Sequence, residues 1–370
     1  MKKLLPLLLA LALLLSGCGR REDAPPDPVQ DPPSGTKEPG EPRPVSPENP
    51  LELDILRIEI CRGGLGSERL MEAARTLPEL LRSTLAENQS IITDTIQVTI
   101  GSSPAATVQA LNGGAVDIAI LPAEGFAGQE TEAVLLLASG PGANESPLWT
   151  DSGGSFQASI CAAPTDYGLN LAVRAGKEGD LPTWEEMNRA RWGLLERDSL
   201  PGRRAVDLWL ADNYEGNTTA SLSRVTVYGD FDQLIQAAEA GEIDVFPRDD
   251  SDSAARNGDT AEFLNEKVFS LGQTERFYDM VLAVSPERED LSAPGLNLKD
   301  PLMFTLTQLC FYDGTQTNAD GTPLFSGEGC DRETRMLCQD VFGPYRYGWA
   351  EDKDLDATRR LLTLEGHTAD

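Results

Sequence analysis

Two stretches of this chain carry the same pattern of apolar and polar positions. VTIGSSPAATVQALNGGAVDIAILPAEG begins at Val98 and VTVYGDFDQLIQAAEAGEIDVFPRDD at Val225, and the two align without a gap. Val98/Val225, Thr99/Thr226, Gln109/Gln236, Ala110/Ala237, Gly114/Gly241 and Asp117/Asp244 coincide. In each copy a β-branched run reads as a buried strand, a turn follows, and a helical pattern runs to a glycine suited to ending a helix. A second apolar run, DIAIL or DVF, closes a βαβ unit.

The same reading extends outward. Ile55 to Ile60 alternate as a strand, and Arg62-Gly63-Gly64-Leu65-Gly66-Ser67 turns into a helix from about Glu68 to Ala86, with Ser67 as its N-cap. Those glycines lack the GK[ST] ending of a phosphate loop, so a tight strand-to-helix turn is the better account. AVLLLAS, from Ala133, is strand-like. After a loop between Gly140 and Ser155, Leu169 to Arg174 and Arg191 to Glu196 read as strands, Gly202 to Asn213 as a helix, and FYDMVLAVS, from Phe277, as another strand. PLMFTLTQLCF, ETRMLCQDVF and DATRRLLTL are three helical patterns that return to the first lobe. Alternating strands and helices predict parallel-rich sheets with helices on both faces.

The N-terminus departs from this pattern. Lys2 and Lys3 precede LLPLLLALALLL, which is short for a spanning helix and ends in Ser16-Gly17-Cys18. Residues 1–17 read as a signal peptide. LLSGC resembles a bacterial lipobox, which implies an acyl lipid such as palmitate on Cys18. Residues 18–52 are proline-rich and too poor in apolar residues to fold, so they read as a tether. The expected address is the extracytoplasmic face of a bacterial membrane, reached through the lipid alone.

Composition narrows the chemistry. Sixty acidic against 31 basic residues give a formal net charge of −29, which disfavours nucleic acid as a partner. The single histidine, His367, lies in a polar tail, so Ser-His-Asp and Cys-His catalysis lack a base and histidine-rich metal sites are excluded. Neither a metal nor another cofactor is expected. Beyond Cys18 stand Cys61, Cys161, Cys310, Cys330 and Cys338, none in CxxC spacing; a bridge among the last three is favoured, with the connectivity open. Thr317 to Gly321 fails as a calcium loop because Gly327 stands where a bidentate glutamate is needed. Asp117 and Asp244 look like paired catalytic carboxylates, but each follows a helix-ending glycine and precedes a buried strand, which points to a turn or strand-edge role.

ALNGGAVDIAILP, then YGLNLAVRAGKEGDLPTWEEMNRARWGLLERDSLPGRRAVDLWL, then the second copy, resembles the substrate-binding proteins of bacterial ABC importers, most nearly their phosphate and phosphonate branch. The resemblance covers roughly Ile55 to Arg360 and rests on Tyr167, Val173-Arg174, Leu181, Trp192 and Asp198-Ser199 to Gly202. It implies a two-lobed α/β fold of the type II periplasmic-binding kind, with a hinge of two crossing strands. Lobe 1 would span 53–166 and lobe 2 167–278, with 279–370 returning to lobe 1. It implies no enzyme, but a protein that closes on a small solute and delivers it to an ABC permease.

The implied ligand contacts are Ser67, Ser102, Ser103, Glu124, Phe126 and Tyr167, with Ser199, Gly202, Arg203, Asp230, Phe231 and Asp249. The family's oxyanion turn STSG reads Ser199-Leu200-Pro201-Gly202 here, losing two hydroxyls and one N–H, and a ligand-facing histidine is replaced by Phe231. A phosphonate-like or an amine-bearing organic solute therefore fits. Two alternatives stay open: a surface receptor that senses without importing, and a hydrolase that uses carboxylates.

Overall fold

The computed structural model describes residues 45–140, 155–178, 181–250, 259–292, 298–310, 331–343 and 346–366, all within one compact unit. The signal peptide, Cys18, the tether up to residue 44, Thr317–Gly321, Cys330 and His367 lie outside the described residues. No described helix is long and apolar enough to cross a membrane.

The first sheet is built from β1 (Leu51–Ile60), β2 (Ile91–Ile100), β3 (Ile118–Pro122), β4 (Val134–Ser139), β10 (Met280–Val284) and β11 (Tyr347–Trp349). Around these strands pack α1 (Ser67–Gln89), α2 (Pro104–Asn112) and α3 (Ala123–Ala127). The second sheet holds β5 (Ala158–Ala162), β6 (Trp192–Leu194), β7 (Val225–Val227), β8 (Val245–Asp249) and β9 (Phe269–Gln273). Its helices are α4 (Asp166–Glu178), α5 (Trp184–Arg189), α6 (Ala205–Asn213), α7 (Phe231–Glu239) and α8 (Asp259–Glu266). Four more follow: α9 (Glu289–Ser292), α10 (Lys299–Cys310), α11 (Arg332–Phe342) and α12 (Asp356–Leu364).

Strand order explains why the chain repeats its pattern. The first sheet runs β11-β4-β10-β3-β1-β2 and the second β7-β6-β8-β5-β9. Numbered within its own lobe, each sheet reads second, first, third, then a strand arriving from the other lobe, then fourth. The arriving strands, β10 and β5, are antiparallel to both of their neighbours, whereas the first three strands are mutually parallel. The repeated βαβ segments are β2-α2-β3 and β7-α7-β8, at equivalent places in the two sheets. The chain crosses between lobes ahead of β5 and again between β9 and β10. Phe156 and Phe277 join these two crossings, exchanging backbone hydrogen bonds of 2.7 and 2.9 Å.

Several expectations are corrected. The first crossing falls before β5, so the second lobe takes Ala158–Ala162 and does not begin at residue 167. Leu169 to Arg174 is not a strand but the middle of α4: Leu171 is buried while Leu169 and Val173 are exposed, and Tyr167, Ala172 and Ala175 pack on the core. A short apolar run has too few residues to separate period two from period 3.6. Gly66, not Ser67, occupies the N-cap of α1. Strands β5, β9 and β11 escape the sequence pattern altogether, since five residues or fewer leave little alternation to detect.

Apolar clusters lie on both faces of each sheet. In the first lobe α1, α10 and α11 cover one face and α2 and α3 the other. In the second, α5 and α6 cover one face and α7 and α8 the other. Cys61 and Cys161 are buried, and burial pushes the Cys161 thiol up to about 12, so neither suits nucleophilic chemistry. Cys310 and Cys338 stand on the packed helices α10 and α11 within one cluster.

Candidate functional site

The carboxyl ends of parallel strands are where helix N-termini expose backbone donors, and in open α/β folds ligands gather there. The two repeated aspartates stand at the other end. Asp117 precedes β3 and Asp244 precedes β8, and each closes the same clamp. The Arg57 backbone N–H donates to Asp117 Oδ2 at 2.7 Å, and its Nε and Nη2 add bonds of 3.2 and 2.6 Å. Arg191 repeats this on Asp244 at 2.8, 3.0 and 2.6 Å. Arg288 adds an ion pair of 2.8 Å to Asp117, and Thr165 Oγ1 donates to Asp244 at 2.7 Å. Burial alone would raise both carboxyl pKa values, but the arginine side chains and backbone N–H groups, donating to the ionised form, hold them below the ordinary value. They are strand staples at the amino ends of the parallel strands, opposite to the ends that carry the helix N-termini.

The cleft-side turns are capped by their own side chains. Ser103 Oγ accepts from the Ala106 N–H at 3.2 Å at the start of α2, and Asp230 accepts from the Gln233 N–H at 2.8 Å at the start of α7. Ser199 Oγ accepts from the Gly202 N–H at 3.2 Å, while its carbonyl takes the N–H groups of Arg203 and Arg204, each at 3.0 Å. Pro201 has no N–H, so Leu200 holds the one uncommitted donor among the first three residues of that turn. A tetrahedral oxyanion would find little to bind there.

The turn is a π-helical one, Leu200–Arg204, and leads directly into α6. A π-turn adds a residue to the helical circuit and so turns everything after it by roughly a quarter of a circle. Arg204, the last residue of this turn, reaches the opposite lobe. Its Nη1 and Nη2 fork onto Glu124 of α3 at 2.7 and 3.1 Å, and its Nε and Nη2 fork onto Glu365, just past α12, at 2.7 and 2.8 Å. These carboxylates outweigh burial and raise the pKa of Arg204 further.

Gly202 is required by packing: a Cβ there would lie 2.6 Å from Leu195 Cβ, Cγ and Cδ1. Gly202→Ala is expected to lower stability by about 1–3 kcal/mol, as overpacking of a filled core does. Thermal unfolding checks this, and an unchanged midpoint would show that the turn has room to spare.

Two expected contacts lie elsewhere. Phe126 is 1 % exposed in the core of the first lobe, packed beneath α3. Tyr167 lies at the far pole of the second lobe, because antiparallel β5 carries the chain away from the cleft before α4 begins; its hydroxyl donates to the Glu186 carbonyl at 2.9 Å. Ser102, Ser103, Glu124, Ser199, Gly202, Arg203, Asp230, Phe231 and Asp249 all stand at the carboxyl ends of their strands. Phe231 is half-buried against its own lobe. Asp249 pairs in register with Ala158 on the arriving strand.

Pattern reading missed Arg204, Glu365, Arg62 and Asp279. Asp279 opens the re-entering β10; its carbonyl accepts from the Ala123 N–H at 2.8 Å, and its carboxylate stands 3.7 Å from Arg62 Nη1. Burial raises its pKa, against the pull of Arg62. Position beside the second hinge crossing is the only signal that could have singled it out.

No family model matches the chain, and no curated protein matches its sequence. Solved structures do. The PhnD1 protein of Prochlorococcus marinus, solved in complex with methylphosphonate, is 10% identical over 85% of this chain and 99% of its own, with a TM-score of 0.35. A binding-protein component of a Pseudomonas aeruginosa ABC phosphonate transporter is 12% identical over 85% and 87%, with a TM-score of 0.32. The periplasmic aliphatic sulphonate binding protein SsuA of Escherichia coli is 13% identical over 86% and 94%, with a TM-score of 0.36. Fold assignment rests on the strand order. Two mixed sheets that each take an antiparallel strand from the other lobe, with two crossings between them, define a two-lobed α/β protein of the periplasmic-binding type.

Proposed function

We propose that this protein is an extracytoplasmic solute-binding lipoprotein that closes its two lobes on a small molecule and hands it to an ABC permease. The observation that carries the reading is the doubled strand order, with two chain crossings among the described residues, joined at Phe156 and Phe277. Two adjacent crossings form a hinge about which the carboxyl ends of both sheets approach each other. The ligand contacts proposed are Ser102, Ser103 and Glu124 from one side and Ser199, Arg203, Asp230, Phe231 and Asp249 from the other, with Asp279 added.

Of the two ligand classes, an amine-bearing organic solute is favoured over a phosphonate. The N–H groups of the Ser199 turn are consumed by Ser199 itself, whereas Asp279 places a carboxylate at the cleft end of β10 with only the 3.7 Å contact to Arg62, and Glu124 places one at the cleft end of β3 that is released when Arg204 leaves it. Neighbouring structures bind phosphonate and sulphonate, so the distinction is open to direct test.

Native mass spectrometry of freshly purified full-length protein is expected to reveal a bound cationic small molecule, and the same spectra a mature N-terminus at acylated Cys18. Calorimetry with methylphosphonate should then show no tight binding. Tight methylphosphonate binding would overturn the ligand class. Turnover of an ester or glycoside would overturn the binding-protein reading itself.

A further inference from the structure

The C-terminal helix does more than cover the first lobe. Helix α12 packs on α3 of the first lobe and also on α6 of the second. Ala357 and Leu361 of α12 join Ala205 and Leu208 of α6 and Phe277 of the hinge in one buried apolar cluster, with Phe156 and Leu200 at its edge. Ion pairs flank this seam on both sides. Arg360 of α12 meets Asp212 of α6 and Glu275 of the returning crossing, each at 2.8 Å. Arg204 of the second lobe forks onto Glu124 and Glu365, so four of its five N–H donors are engaged by carboxylates outside its lobe.

We infer that α12 is a third, non-covalent crossing between the lobes, and that Arg204 is a latch which holds them closed before any ligand arrives. Every contact in the seam is made by the chain itself, so the seam contributes closing energy of its own, whatever solute binds. When the hinge opens, Arg204 leaves both carboxylates together, because Glu124 and α12 belong to the first lobe while Arg204 rides at the head of α6. Opening therefore breaks two bidentate pairs and uncovers Leu361, which is 0% exposed in the closed seam. The cost of hydrating that leucine keeps the apolar part independent of salt, whereas the partly exposed ion pairs weaken as salt screens them. Ligand capture is gated by spontaneous release of the latch, and a solute that reaches the cleft does so through a minor open population.

The latch is independent of which solute binds, and its test uses no ligand. The repeat supplies matched reporter positions: Gln109 on α2 and Gln236 on α7 are exposed, equivalent in the two copies, and lie on opposite lobes. Spin labels on Gln109→Cys and Gln236→Cys in the otherwise full-length protein report the separation of the lobes by pulsed dipolar spectroscopy. The labelled parent is expected to show a dominant short distance. Glu365→Gln and Glu124→Gln remove the charge while keeping the shape, and each should lower the closed-to-open ratio by about three- to tenfold. The pair together should lower it further, and raising salt from ~50 mM to ~500 mM should move the parent in the same direction. Leu361→Ala, which weakens the seam without touching a charge, should open the lobes and leave the salt response intact. If the distance distribution is the same in the parent, in both glutamine variants and at both salt concentrations, Arg204 is no latch and the proposal fails. A mainly open parent would overturn it equally. Neither result would touch the binding function, which the mass-spectrometric search for a bound solute decides separately.

Discussion

Asp244→Ala is expected to destabilise the second lobe by about 2–3 kcal/mol, and Asp117→Ala to do the same to the first, because each removes the acceptor of a buried backbone N–H and of an arginine fork across a strand junction. The two aspartates are 3% and 0% exposed, and each accepts a backbone N–H as well as the side-chain fork, so water cannot take over their role cheaply. Calorimetric unfolding reads the effect directly. Equal losses at the two sites would reflect the equivalence of the clamps, while a loss under about 1 kcal/mol at either would show that the clamp is ornamental. The acid response follows with a definite sign. Both carboxyls have folded-state pKa values depressed below the ordinary 3.8, so their contribution is present above that value and is lost as pH falls through the lower folded one. Asp117→Asn and Asp244→Asn should therefore flatten the acid limb of the stability curve while leaving its neutral-pH slope alone.

Phe126→Ala is expected to cost about 3–5 kcal/mol of stability through the cavity it leaves. Its ring is 1 % exposed and packed with Leu121, Ala123 and Leu135 beneath the helix that presents Glu124. A ligand contact would behave differently: affinity would fall and the melting temperature would hardly move. Unfolding and solute binding measured side by side distinguish the two, and a variant that loses affinity at unchanged stability would restore Phe126 to the binding surface. Phe126→Leu, which keeps most of the apolar volume, should recover much of the stability.

Legibility in the sequence followed the range of the forces involved. The βαβ copies were readable because strand and helix periodicity and glycine helix stops are decided within a few residues, and each of those local signals agrees with the fold. The role of Asp117 and Asp244 was readable for the same reason, since a carboxylate wedged between a helix-ending glycine and a buried strand has little freedom. Ser103, Ser199 and Asp230, expected as ligand contacts, also cap their helices, each accepting a hydrogen bond from the third residue of its turn.

What only the tertiary structure decided lies beyond that range. Sequence alone determined two copies of one supersecondary unit, their strand and helix content, and a formal net charge of −29. It did not determine that β5 and β10 trade lobes, because an arriving strand of five buried residues looks like any other apolar run until its neighbours are known. Nor did it show that α4 carries Tyr167 away from the cleft, since that follows from the antiparallel direction of β5. Arg203 and Arg204 are adjacent and chemically identical, and it is Arg204 that pairs with carboxylates of the other lobe. The partners of Arg204 stand 80 and 161 residues away. An ion pair of that span leaves no trace in local pattern, because its energy depends on where two lobes meet and not on what either residue has beside it in the chain.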